Sequence, residues 1–188
     1  ADLPQNDYDP DKARALLAEA GLDGLTIDLS ASNAAFTGAV DAGQLYQASA
    51  KAAGININVV QEPADGYWSN VWLKKAWSAA YWSGRATEDW MFSTAYETGV
   101  PWNDSQWDND DSPRFQELLL SARAELDSDK RREQYTEMQS IMSTEGGTFI
   151  PMYANYVDAA SSKLANSGTI GNVFQMDSSR LMERWWFA

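Results

Sequence analysis

Among side chains that do chemistry, this chain of 188 residues has no cysteine and no histidine. That removes disulfides, the usual zinc sites and any Ser-His-Asp or Cys-His nucleophile. Carboxylates, one well-placed arginine and a group of indoles remain. Glu88-Asp89 is the nearest approach to a carboxylate pair, and glycosidases set two carboxyls across a sugar bond. Adjacent helical residues point apart, so the pair reads instead as acidic charge at a helix N-terminus, which the macrodipole favours. Asp108-Asn109-Asp110-Asp111 invites a calcium reading, yet an EF-hand loop begun at Asp108 needs Gly and Glu where this chain has Pro113 and Leu119. A solvated loop that caps the next helix is the simpler reading. Asn103-Asp104-Ser105 fits the glycosylation sequon, a signal of little weight, and no P-loop or GxGxxG is present.

Arg85 is the cation set among the aromatics. Seven of the nine tryptophans fall between Trp68 and Trp107, and the stretch Ala79–Phe92 lies at their centre. Leu, Ile and Val fill cores without a polar atom to satisfy, whereas indoles supply rigid contact area with a polar handle. Each ring therefore has two readings, packing between helices or gripping a ligand. Arg85 likewise has two: planar donors for a carboxylate or phosphate, stacked on aromatic faces, or a salt bridge to Glu88 or Asp89. Lys74 and Lys75 read as a solvated helix end.

The elements that must position these residues follow from caps and periodicity. Asp9 as N-cap and Pro10 at the first helical position start a helix with Ala13, Leu16, Leu17 and Ala20 on one face, ended by Gly21. Leu25, Ile27 and Leu29 alternate with polar residues as a strand. A helix over Ala35–Ala53, closed by Gly54, leads to a second strand at Ile55–Val60. Strand, helix, strand predicts a parallel pair with a right-handed crossover. Asp65 caps a short helix through Lys75 with Trp68 and Trp72 on one face, before a strand at Ser78–Trp82, a glycine turn at Gly84 and a helix start near Thr87. The segment Glu97–Asp111 is a loop carrying Trp102 and Trp107. Ser112-Pro113 starts a helix with Phe115, Leu118, Leu119, Ala122 and Leu126 as its apolar stripe. Another follows Asp127-Ser128 to about Thr144, with Tyr135, Met138, Ile141 and Met142 inward, stopped at Gly146-Gly147. Phe149–Tyr153 and Tyr156–Ala160 read as strands. The class is α/β.

Composition bounds the partners. Apolar residues at 44% and charged residues at 22% describe an ordinary globular chain, and no run approaches a membrane-spanning length. The net charge of −13 argues against nucleic acid, which needs clustered Lys and Arg. The first residues, Ala1 to Asn6, show no signal-peptide pattern. The aromatic end, Arg184-Trp185-Trp186-Phe187-Ala188, reads as a segment that docks, on another part of its protein or on a second copy.

Tyr8-Asp9-Pro10-Asp11-Lys12-Ala13-Arg14-Ala15-Leu16-Leu17-Ala18-Glu19-Ala20-Gly21 resembles the "YDPeKAkaLLkeAG" segment of the peptide/nickel-type (family 5) solute-binding proteins of ABC importers. Trp82-Ser83-Gly84 and Phe149-Ile150-Pro151-Met152-Tyr153 resemble further motifs of that family. The resemblance implies a lobe of a type II periplasmic-binding-protein-like fold, incomplete without its N-terminal lobe: residues 1–160 as the C-terminal lobe and 161–188 as a tail returning to the other lobe. It implies a receptor without catalysis or cofactor, periplasmic or extracytoplasmic, membrane-associated through its transporter. Its partners would be a small-molecule solute (peptide-like, opine-like or oligosaccharide) and a membrane ABC permease. The implied ligand-binding set is Tyr81, Trp82, Ser83, Gly84, Arg85, Asp89, Trp90 and Trp102. In peptide-binding members an Asp after the Trp-x-Gly turn holds the ligand's ammonium group. This chain has Arg85 at that position, and a cation repels an ammonium and attracts an anion. A carbohydrate-binding or carbohydrate-active module built on the tryptophans is the alternative, and a cytoplasmic α/β enzyme is a third class that lacks any recognisable nucleophile, metal or cofactor motif.

Overall fold

The computed structural model describes residues 3–108 and 110–188, in two compact units that part between Tyr81 and Trp82. In the first unit, helix α1 (Pro10–Glu19) starts where the cap predicts: the Asp9 carboxylate accepts from the Lys12 N–H at 2.9 Å. Its predicted apolar face is only half-covered, with no residue of α1 buried and Leu16 exposed. Polar tethers hold it instead, from the Tyr8 hydroxyl to the Ser49 carbonyl at 3.0 Å and from Arg14 to the Ala52 carbonyl.

Strands β1 (Thr26–Ala31) and β2 (Asn56–Gln61) pair in parallel, from Thr26 opposite Asn56 to Ala31 opposite Gln61, joined through helix α2 (Ala39–Lys51). The βαβ expectation holds, although α2 begins four residues later than periodicity predicts. Gly43 faces the sheet from inside α2. A Cβ there would lie 3.3 Å from Val59 Cγ1 and 3.4 Å from Leu29 Cδ2, so the missing side chain lets the helix lie close on the strands. The predicted helix to Lys75 is corrected to one turn, α3 (Tyr67–Asn70), followed by turns. Its N-cap is Gly66 at φ 73° rather than Asp65.

The strand predicted at Ser78–Trp82 shrinks to one bridge between Ser30 and Ser78. The Ser30 N–H donates to the Trp77 carbonyl at 3.1 Å and the Ala79 N–H to the Ser30 carbonyl at 2.9 Å. The next acceptor of a parallel ladder is the Ala79 carbonyl, and the Tyr67 hydroxyl takes it at 2.6 Å. Tyr67 is fully buried, and burial, with the Glu62 charge, pushes its phenol up to about 12 against a lowering hydrogen bond with Ser78.

The second unit is helical at its core. Helix α4 (Glu88–Ala95) packs with α5 (Pro113–Ala124) and α6 (Ser128–Glu145) around Phe92, Tyr96, Trp107, Phe115, Leu119 and Met138. Tyr135, Ile141 and Met142 pack against this cluster as their spacing predicts. Leu126 does not belong to the stripe: Glu125 turns extended at ψ 122°, which carries Leu126 out of helical register to 92% exposure. Neither Phe149–Tyr153 nor Tyr156–Ala160 forms a strand. Pro151 lacks a ladder donor, and among the described residues neither segment joins a sheet.

Beyond Ser161, β3 (Leu164–Ala165) pairs antiparallel with β4 (Trp186–Phe187). Between them, α7 (Gln175–Ser179) is a left-handed turn, with Met176 to Ser179 at φ 54–62°, and α8 (Leu181–Arg184) follows. Left-handed backbone costs L-residues roughly 1–2 kcal/mol each. Asp177 holds the turn. Its buried carboxylate accepts from the Gly171 N–H at 2.5 Å, from Arg184 Nη1 at 2.7 Å and from the Trp185 indole at 3.1 Å.

Candidate ligand-binding site

The site is built on the irregular segment that leads into α4. Thr87 caps that helix, its hydroxyl accepting from the Trp90 N–H at 3.2 Å, as its sequence position predicts. Gly84 is a point of close approach rather than the predicted turn: its φ is ordinary, and a Cβ would stand 2.8 Å from the Val173 carbonyl oxygen. Trp82 is half-buried against the unit's core, and its indole N–H donates to Asp104 Oδ2 at 3.1 Å.

Arg85 completes the arrangement. Its guanidinium carbon lies 5.6 Å from the Trp82 ring centroid and 5.4 Å from that of Trp90, within the range of cation–π attraction, about 0.5–2 kcal/mol per ring. Nη1 donates to the carbonyls of Ser83 at 2.9 Å and Gly84 at 3.2 Å. Nε is buried with no hydrogen-bond partner. Among the described residues no carboxylate pairs with Arg85, so the alternative salt bridge to Glu88 or Asp89 is not formed.

Asp89 is engaged elsewhere. Its Oδ1 accepts from Arg123 Nε at 2.7 Å and from the Tyr135 hydroxyl at 3.1 Å, while Arg123 Nη2 reaches Glu97 at 3.3 Å. Burial, then the hydrogen bond to Asp89, pushes the Tyr135 phenol up to about 12. This network ties α4 to α5 and α6. The structure thus gathers Trp82, Ser83, Gly84, Arg85 and Trp90, and turns the Asp89 carboxylate toward Arg123. Trp102 lies half-exposed on the loop that carries Asp104. Tyr81 belongs to the first unit, where its exposed ring meets Trp68 edge-on at 5.5 Å. The sequence names Asp104 only as the middle of the sequon and does not point to Arg123 or Val173, because each of the three meets its partner across more than twenty residues of chain.

The acidic run spends its oxygens locally. Asp108 Oδ1 accepts from the N–H groups of Asp110 at 2.8 Å and Asp111 at 3.3 Å, and Asn109, also part of the calcium reading, lies outside the described residues. The sequon's Asn103 donates its amide to the Trp107 carbonyl at 2.7 Å. Among the described residues no three His, Cys, Asp or Glu side chains are grouped to hold a metal, and no helix is long and apolar enough to cross a membrane.

Residues 1–104, more than half of the chain, match the family model for the middle part of bacterial extracellular solute-binding proteins, family 5. The chain belongs to family 5. Solved structures agree on the fold. A periplasmic binding protein, DppA from Helicobacter pylori, in complex with the peptide STSA, superposes with a TM-score of 0.65 at 21% identity, over 78% of this chain and 29% of that one. HbpA2 from Haemophilus parasuis gives 0.63 at 22% identity, over 78% and 30%. NikZ from Campylobacter jejuni, in complex with Ni(L-His), gives 0.63 at 19%, over 74% and 31%. No curated protein is similar enough to match. The family 5 chain therefore shares the type II periplasmic-binding-protein-like fold and spans about three tenths of the length of these structures. It belongs to a family of binding proteins, not enzymes.

Proposed function

We propose that this family 5 chain is the ligand-contacting part of an extracytoplasmic receptor that hands a small solute to a membrane ABC permease. Residues 1–160 form its lobe and 161–188 its tail, and capture proceeds by closure of that lobe with another around the solute. The ligand presents an anionic or acceptor group to Arg85, and its body lies along Trp82 and Trp90. Solved structures of similar fold hold a peptide in one case and a nickel–histidine complex in another, so the fold accommodates solutes of different chemistry. The observation that carries the reading is Arg85 itself, a guanidinium within cation–π reach of two indoles and with no carboxylate partner among the described residues. Arg85 is half-buried, and its Nε is a buried donor with no partner; buried donors are ordinarily satisfied, so this one is open to a ligand acceptor.

A thermal-shift screen of wild type and Arg85→Ala tests this against peptides, neutral sugars, opine-like acids and phosphorylated solutes. Ligand at about a hundred times its Kd stabilises the native state by roughly 2.7 kcal/mol. A rise in Tm with an anionic solute, absent in the variant, is the expected outcome. A rise with neutral sugars that survives the substitution would give the site to the tryptophans and overturn the role of Arg85.

A further inference from the structure

Arg85 shows which of its edges awaits the ligand. Its Nη1 is committed to the Ser83 and Gly84 carbonyls, which fixes the guanidinium plane. The opposite edge carries Nε and Nη2, whose N–H bonds run parallel. Nε is buried without a partner, and neither nitrogen is engaged among the described residues. The indoles of Trp82 and Trp90 lie against the guanidinium group. What remains is a flat, two-donor edge on a guanidinium that two indoles attend.

Resting on the receptor reading above, we infer that this edge takes a planar carboxylate of the solute side-on, one oxygen on Nε and the other on Nη2. The same protein displays the geometry at its surface, where Arg114 grips Glu137 through Nε at 2.7 Å and Nη2 at 3.0 Å. A carboxylate matches the fork with two coplanar oxygens. A tetrahedral phosphate or sulfate carries further oxygens above and below that plane, and the in-plane fork offers no donor to them. Asp89 does not compete for the edge, since its carboxylate is bound to Arg123 and Tyr135. Nε has almost no exposed surface at rest, so entry requires a local rearrangement around Arg85.

The test follows the Arg85 Nε–H resonance in nitrogen-15-labelled protein, assigned through its backbone and by its loss in Arg85→Lys. Formate and acetate are titrated against chloride and inorganic phosphate at matched ionic strength. The expected result is a saturable downfield shift with both carboxylates and none with chloride or phosphate. An equal response to phosphate would overturn the selection of a planar carboxylate, and no response to any of the anions would overturn the open edge. Either failure leaves the receptor proposal standing, because that proposal is judged by Arg85-dependent melting shifts with larger solutes.

Discussion

Asp177 is where one side chain organises the most backbone. The Gly171 N–H first, then Trp185, Arg184 and Arg180, hold its carboxyl below the usual carboxylate range, outweighing the opposing effect of burial. The unfolded chain protonates such a group near pH ~4. A depressed folded value means that its stabilisation is complete above that pH and is lost as pH falls through the folded value. Denaturant midpoints measured from pH 7 down to pH 2 should therefore show an acid-labile step, and Asp177→Asn should flatten it. A midpoint with the same acid slope in the variant would assign that step to other carboxylates. Arg85 is the opposite case, a charged group whose environment leaves donors open. The first residue was hidden in sequence because Gly171, Arg184 and Trp185 converge on it only through a left-handed turn of non-glycine residues. The second was legible, since one cation among indoles after Trp-Ser-Gly is a visible anomaly.

At the scale of elements, α4 carries Trp90 and the network behind it, and Gly84 sets how the chain enters that helix. Replacing Gly84 with Ala puts a methyl 2.8 Å from the Val173 carbonyl oxygen, so backbone on one side must shift. Overpacking of this kind costs about 1–3 kcal/mol. Gly84→Ala is expected to lower stability by that amount in urea denaturation and to weaken any Arg85-dependent ligand shift, while Gly99→Ala, whose cost is a φ of 79° rather than a clash, lowers stability through backbone strain and spares the ligand shift. Helix ends were the most legible features, because Asp9, Thr87 and Asp127 announce caps that side-chain oxygens do form. The β1–β2 pair was legible from alternation. What failed was long-range. Phe149–Tyr153 has strand composition but joins no sheet among the described residues, and Leu126 has stripe spacing but lies past the point where Glu125 leaves the helix. Asp89 was legible as helix-terminal charge and not as the partner of Arg123 and Tyr135, which lie on two other helices.

The whole chain carries a net charge of −13, and this bears on how an anionic solute reaches Arg85. Long-range repulsion slows the encounter, and salt screens it beyond a Debye length of about 10 Å at 0.1 M. Stopped-flow association of an anionic ligand should therefore speed up as ionic strength rises from 10 to about 100 mM, the reverse of ordinary steering. A rate that falls with salt would place a local positive field in control. The extent of the sheet in the first unit is likewise a property no single segment holds. One phenol, at Tyr67, donates to the Ala79 carbonyl, the acceptor that a rung beyond the Ser30–Ser78 bridge would use. The segment after Ser78 thus shares its next ladder acceptor with a side chain eleven residues upstream. Tyr67→Phe would hand that carbonyl back to the ladder. Slower hydrogen exchange at the Ser32 amide in the variant would reveal a strand that the wild-type chain encodes and holds unmade.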